Sequence, residues 1–455
     1  MRSSNSSRHV AFDVLQAVHV DDAYSNLILP ALLDQRKVDS RDAGLATELT
    51  YGTLRRQGSL DAVIDACASR TDSMDSAVRD VLRLGAYQLL FMRIPAHAAV
   101  SETVDLARDV HGVGSSKFVN AVLRKIAAKS WDEWFAELSV GLNKDDAMSL
   151  EFSYPVWVVR AISGAYKTDD EGLRGILAAG NEPAPVSLVA RPGQATIDDL
   201  LNLPHIAPGR WSPLAGTMIR PVGEQSWSTR PGDIDDVQTN RVGVQDEGSQ
   251  LVALAVAQVS VDGQESAWLD MCAGPGGKAA ILAGLAAEAG ASFTALEPIE
   301  PRAHLVENSL FNAPGEHDVI ITDAREYSPG KLFDRILIDA PCTGLGALRR
   351  RPEARWRRQP SDVPVLAALQ QQLLAHGSTL VRPGGVIGYA TCSPHLAETD
   401  AIVNDFLRKH QDFEIVPVSE VLPTVDGLGD TMRLRPDVHH TDGMFLALLR
   451  RKASD

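Results

Sequence analysis

Residues 267–278, Ala267-Trp268-Leu269-Asp270-Met271-Cys272-Ala273-Gly274-Pro275-Gly276-Gly277-Lys278, decide how this chain is organised. An apolar run of strand length leads into a glycine-rich turn, and Lys278 to Ala289 has the composition of a following helix. Beyond this unit short apolar segments alternate with helical ones: strand Phe293 to Glu297, a helix through Asn312, strand Asp318 to Thr322, then strand Arg335 to Asp339. A helix carrying Leu366, Leu369, Leu373, Leu374 and Leu380 comes next, followed by strand Val386 to Ala390. Such alternation predicts a mostly parallel, Rossmann-like α/β sheet over 241–455, with helices on both faces. Ligands of such sheets bind at the carboxyl ends of the strands, so the chemistry-bearing residues should follow strands directly.

The turn allows close backbone approach, and the amides that open the helix favour a negative group. It is not a P-loop, because Cys272 holds the first glycine position and Ala279 follows Lys278 where Ser or Thr is needed. It matches a dinucleotide fingerprint in part, through Gly274 and Gly276 with Ala279 in the third place. Glu297 ends the second strand about 20 residues past the glycines, where a carboxylate can accept ribose hydroxyls. Asp323, after the third strand, is suited to an adenine amino group. These carboxylates fit an adenosine ligand and leave NAD and S-adenosylmethionine both open.

The next two strand ends separate them. Asp339-Ala340-Pro341-Cys342 and Thr391-Cys392-Ser393 bring a carboxylate and two thiols to the cofactor edge. One cysteine after a strand is usually an inert buried residue; two beside a cofactor site call for a chemical explanation. Cys67, Cys272, Cys342 and Cys392 lie too far apart in sequence for a metal-binding pair, so no metal is expected, and a disulfide framework does not suit this length. Carbon-5 of cytosine is too weak a nucleophile to take a methyl group unaided. A thiolate added at carbon-6 makes carbon-5 enamine-like, splitting one hard step into easier ones. A carboxylic acid near ring nitrogen-3, the role expected of Asp339, would stabilise that adduct. The carbon-5 proton must then leave and the enzyme be expelled, a step suited to a second cysteine.

The other zones carry less chemistry. Residues 1–140 show helical periodicity, as in Ala11, Val14, Leu15, Val18 and again in Val78, Val81, Leu82, Gly85, Leu89, and predict an all-α bundle. Pro30 and Pro95 are expected at junctions between helices. Residues 141–240 are broken by prolines, among them Pro183, Pro192, Pro204 and Pro221, and predict a small α+β connector or RNA-binding module. The chain is therefore multidomain. The Ser-rich start is expected to be a disordered tail; no signal core follows it and no apolar run reaches the roughly 18 residues of a membrane span, so a cytoplasmic protein is expected. With 44 basic and 59 acidic residues the formal charge is −15, so any nucleic-acid site must be a local patch. One such patch exists: Arg349, Arg350, Arg351, Arg355, Arg357 and Arg358, with Trp356 among them, directly after the Cys342 loop. Phosphate contacts by these arginines and base stacking by Trp356 are expected.

The motifs from the glycine turn onward resemble the RsmB/Sun-type family of RNA (cytosine-5) methyltransferases. Asp270 to Lys278 is similar to its cofactor signature, Asp339 to Cys342 to its release motif, and Ala390-Thr391-Cys392-Ser393 to its nucleophile motif. Val244-Gln245-Asp246-Glu247-Gly248-Ser249-Gln250 and Asp442-Gly443-Met444-Phe445 extend the likeness in both directions. The resemblance implies that Cys392 attacks, that Cys342 assists release, and that S-adenosylmethionine is held by Cys272, Ala273, Gly274, Pro275, Gly276, Gly277, Lys278, Glu297, Asp323 and Asp339. Gly274 and Ala279 stand where the family commonly has Ala and Thr, and Thr399 where Asn is usual, all peripheral to the chemistry. Arg79 to Gln88 and Val119 to Arg124 resemble the NusB-type RNA-binding bundle of the branch acting on small-subunit ribosomal RNA, which implies that RNA as partner; a monomer is expected. Two rival readings are a DNA cytosine methyltransferase, which would attack with Cys342, and a non-catalytic RNA-binding or assembly factor.

Overall fold

A computed structural model describes residues 6–69, 74–219 and 230–453; the tail expected at residues 1–5 and Pro221 lie outside the described residues. The first zone is a bundle of the helices Ser7–Val20, Ser25–Gln35, Ser40–Cys67, Ser76–Phe91, Ala96–Ile126 and Trp131–Leu138. Polar caps start several of them: Asp39 accepts from Arg41 N and Asp42 N, and Ser130 with Glu133 forms a capping box. The periodic positions Val14, Leu15, Val18, Val81 and Leu82 are at most 1% exposed, so one face of each helix is removed from water. Pro95 caps Ala96–Ile126 as expected, but Pro30 lies inside Ser25–Gln35, correcting the expectation of a junction. Its ring is exposed while Leu29 and Leu33 are buried, and that packing outweighs one missing backbone bond.

Residues 144–244 hold two packed units. Helices Lys144–Phe152, Val156–Tyr166 and Asp170–Ala179 share a core with Leu345 and Leu348 from the C-terminal zone. An antiparallel sheet follows, made of β1 (Ser187–Ala190), β2 (Ile206–Pro208), β3 (Ala215–Met218) and β4 (Val242–Val244), ordered β2-β3-β1-β4. The boundary expected after 240 cuts this sheet, since β4 pairs with β1 through Leu188 and Val244.

The larger sheet contains β5 (Ala267–Asp270), β6 (Ser292–Leu296), β7 (His317–Ile320), β8 (Phe333–Asp339), β9 (Val381–Thr391), β10 (Phe413–Val416), β11 (Thr431–Arg433) and β12 (Phe445–Arg451). Its order is β10-β12-β9-β8-β5-β6-β7, with β11 also on β12. Strands β5 to β9 pair in parallel, whereas β12 runs antiparallel to β9, β10 and β11. From β5 the chain builds outward first through β6 and β7, then on the other side through β8 and β9, so the strand order reverses beside β5. Ligand crevices of open α/β sheets form at that reversal, beyond the strand ends.

Candidate active site

The turn after β5 meets the end of β6 as expected. Gly276 has φ +110°, and a Cβ there would come within 2.6 Å of Ser309, so glycine is required on both counts. Glu297 is 2% exposed and so close to the turn that a Cβ on Gly274 would lie 2.1 Å from its Oε2. Its Oε1 accepts from Ile299 N at 3.1 Å, while Arg302 lies 3.5 Å from Oε2 and donates to the Gly274 carbonyl at 2.8 Å. Asp323 sits farther out: Arg325 grips both its oxygens, which holds this part-exposed carboxyl below its usual range.

Two residues outside the expected set line the same turn. Asp270 is fully buried, with Oδ1 accepting from Cys272 N at 3.1 Å and Oδ2 without a partner. Gln245 Oε1 is likewise buried and unpartnered, and its amide is 3.4 Å from where a Cβ of Gly277 would stand. Unsatisfied buried acceptors beside a glycine turn and a buried carboxylate fit a polar, donor-bearing ligand such as an adenosine cofactor. Burial pushes Asp270 up to about 7 against the opposing Cys272 N–H. The folded protein therefore binds this proton more tightly than the unfolded chain does, and the contribution of Asp270 to stability falls as pH rises from about 4 to about 7. Asp270→Asn in the cofactor-free protein is expected to abolish that fall, worth up to about 4 kcal/mol, in urea unfolding followed across the same pH range. Parallel pH profiles for the two proteins would refute it.

Strands β8 and β9 lead into the two cysteines. Cys342 and Cys392 follow them, and their sulfurs are 3.4 Å apart. Either thiol can donate across this contact; with Cys342 as the donor, Cys392 falls below the ordinary thiol value and Cys342 rises above it. Lys278 and Arg351 also favour a Cys392 thiolate. Cys272, by contrast, is driven well up by burial and then by Asp270, Asp339 and Glu297, which leaves it a poor nucleophile. Lys278 Nζ donates to Asp339 Oδ2 at 2.7 Å. Burial alone would lower the Lys278 ammonium, but Asp339 outweighs it and keeps the lysine above its ordinary value. The sheet thus joins a thiol pair, an ion pair and a ligand turn at one edge.

The arginine segment behaves differently from expectation, and the RNA contacts expected of most of it need correction. Arg349 and Arg350 bind Asp442 at 3.1 Å each, and Arg350 reaches Asp246 at 2.7 Å. This network explains why the 244–250 and 442–445 motifs accompany the arginines: their carboxylates neutralise them in a buried position. Arg355 is wholly buried and donates to the carbonyls of Arg55, Ser153 and Gly180, to Asn181 Oδ1 and to Tyr154 Oη. Arg357 donates to the carbonyls of Val18 and Ala23, and Glu353 accepts from Ser25 N and Oγ. Trp356 lies on the helical bundle so tightly that a Cβ on Gly58 would be 2.4 Å from its ring. Its ring is therefore packed rather than free to stack on a base. The segment is chiefly a staple between domains, with Arg351 exposed and Arg358 only loosely paired, at 4.0 Å from Asp362.

Comparison with known proteins agrees with this architecture. Residues 258–450 match the family described as 16S rRNA methyltransferase RsmB/F, and residues 5–128 match the NusB family. A Mycobacterium tuberculosis protein named only for a methyltransferase activity is 47% identical, covering 99% of this chain and 97% of its own. The ribosomal RNA small subunit methyltransferase B of Pseudomonas putida is 34% identical over 88% of this chain and 89% of its own. Among solved structures, that of PH0851 shares the fold with a TM-score of 0.77 at 21% identity, covering 97% of both chains. With near-complete coverage at such identity, the chain belongs to the RsmB/F family of 16S rRNA methyltransferases and carries a NusB-family domain at its N-terminal end.

Proposed function

We propose that this protein transfers a methyl group from S-adenosylmethionine to carbon-5 of a cytosine in small-subunit ribosomal RNA, through a covalent adduct with Cys392. The observation that carries this reading is the thiol pair, 3.4 Å apart beside the Lys278–Asp339 ion pair at the sheet's ligand edge. The name of the Pseudomonas putida relative, which specifies small-subunit ribosomal RNA, supports the substrate.

S-adenosylmethionine, when bound, supplies an electrophilic methyl group. The glycine turn, Asp270, Gln245 and Glu297 are the residues suited to hold it, with Asp323 reaching from the outer edge. Cys392, the thiol favoured as thiolate, attacks carbon-6 of the base. Asp339 faces nitrogen-3, and a proton passed from the adjacent Lys278 ammonium through Asp339 to that nitrogen offsets the charge that the ring gains. Cys342, acting as the base for release, takes the proton from carbon-5, and the electrons of that bond expel Cys392 from carbon-6 as a thiolate. Arg351 and Arg358 are the arginines of the 349–358 segment left to meet phosphate near this site.

Bisulfite sequencing of ribosomal RNA from a deletion strain tests the proposal. One protected cytosine of the small-subunit RNA is expected to disappear, and purified protein with S-adenosylmethionine to restore it. Unchanged protection throughout that RNA would reject the reading.

A further inference from the structure

Glu398 ends the 3-10 turn Leu396–Glu398, is completely buried, and has no part in the steps above. Its carboxylate accepts four hydrogen bonds from three chain segments. Oε1 accepts from the backbone N–H of Thr343 at 2.8 Å and from Gln370 Nε2 at 3.3 Å. Oε2 accepts from the Thr343 hydroxyl at 2.5 Å and the Ser393 hydroxyl at 2.6 Å. Thr343 follows Cys342 and Ser393 follows Cys392. Gln370 also donates to the Pro341 carbonyl at 2.8 Å, so the residues on both sides of Cys342 are tied to one carboxylate or its partner. The turn itself is anchored to β9 by the Tyr389 hydroxyl, which donates to the Glu398 carbonyl at 2.7 Å.

The sheet alone does not set the distance between the thiols. The last bond between the ends of β8 and β9 runs from Ala340 N to Ala390 O, two residues before each cysteine. Beyond that point the loops are joined by one further backbone bond, from Gly346 N to Cys392 O at 2.8 Å, by the Thr343–Ser393 hydroxyl contact at 3.0 Å, and by Glu398, whose carboxylate gathers both hydroxyls and the Thr343 N–H. A buried carboxylate is costly unless donors replace its water, and four donors fill its acceptor sites. An apolar side chain would fill the same space without drawing two loops to one point.

We infer that Glu398 is a positioning residue that clamps the Cys342 and Cys392 loops together, keeping the two thiols in contact through attack and release. The catalytic meaning of the clamp rests on the two-cysteine chemistry proposed above; the clamp itself can be measured without it.

Two variants of the full chain, Glu398→Gln and Glu398→Ala, test it by two routes. The first is thiol proximity under diamide, which accepts two electrons and two protons as the sulfurs of Cys342 and Cys392 join in a disulfide. Peptide mapping follows that bond. Wild type is expected to form it readily, Glu398→Ala about tenfold or more slower, and Glu398→Gln in between, because the amide keeps one acceptor oxygen but turns an NH2 toward two hydroxyls. The second route is kinetic. Methyl transfer to unmodified ribosomal RNA is expected to show kcat lower by about tenfold in Glu398→Gln and about 100-fold in Glu398→Ala, with KM for cofactor and RNA within about twofold. Equal disulfide rates in wild type and Glu398→Ala would overturn the clamp. So would a loss shared equally between kcat and cofactor affinity, the mark of general loosening. If wild type shows no methyl transfer while its disulfide rate still depends on Glu398, the proposed function falls and the clamp stands.

Discussion

Cys392→Ala is expected to abolish both turnover and the protein–RNA adduct, with kcat lower by at least about four orders of magnitude. No other thiol at the site can replace it. Cys342 is held above its ordinary value while it donates to Cys392, and Cys272 is raised well above its own by burial and then by three carboxylates. Cys342→Ala should have the opposite effect on the adduct. Attack by Cys392 survives, elimination stalls, and a denaturant-resistant species accumulates on a gel. Losing the Cys342 thiol also removes the donor that lowers Cys392, so adduct formation in this variant should need a higher pH than in wild type. Trapping by Cys392→Ala and abolition by Cys342→Ala would reverse the roles and make Cys342 the nucleophile, as in the DNA enzymes.

Arg355→Ala is expected to destabilise the protein by about 3–5 kcal/mol in urea unfolding, the largest loss among the arginines of the 349–358 segment. Its guanidinium has no carboxylate partner among the described residues; burial pulls it down to about 10, and it lies 3.8 Å over the Tyr154 ring. Truncation leaves three backbone carbonyls, of Arg55, Ser153 and Gly180, buried without this donor. Each such group costs about 1–3 kcal/mol, reduced where the surroundings relax. Arg351→Ala and Arg358→Ala should change stability by no more than about 0.5 kcal/mol. Each should instead weaken RNA binding and reduce its salt slope by about one. A stable Arg355→Ala protein with a reduced salt slope would mean that this arginine faces phosphate after all.

These arginines mark the boundary between what is readable locally and what is not. The alternation around Ala267 to Lys278 is a local property: strand length, turn composition and helix periodicity need no knowledge of distant residues. Parallel connectivity then sends all the strand ends to one edge, so Glu297, Asp339, Cys342 and Cys392 were legible as neighbours before their distances were known. The bundle was legible for the same reason, since one periodic face of each helix must be buried. The strands Phe413–Val416, Thr431–Arg433 and Phe445–Arg451 were not placed, because antiparallel pairing of β12 onto β9, and of β10 and β11 onto β12, depends on contacts across the chain.

Composition marks the 349–358 segment as a basic patch, but a charge run looks the same whether it faces water or another domain. Its burial is decided by Ser25, Arg55 and Ser153, which lie hundreds of residues away in sequence. Glu398 is the same case in reverse: one acid among 59 acidic residues, given its role only when folding brings Thr343, Gln370 and Ser393 around it. Periodicity and connectivity are local enough to be written in order along the chain. The fate of a charged side chain is a contest between hydration and long-range partners, and only the tertiary structure decides it.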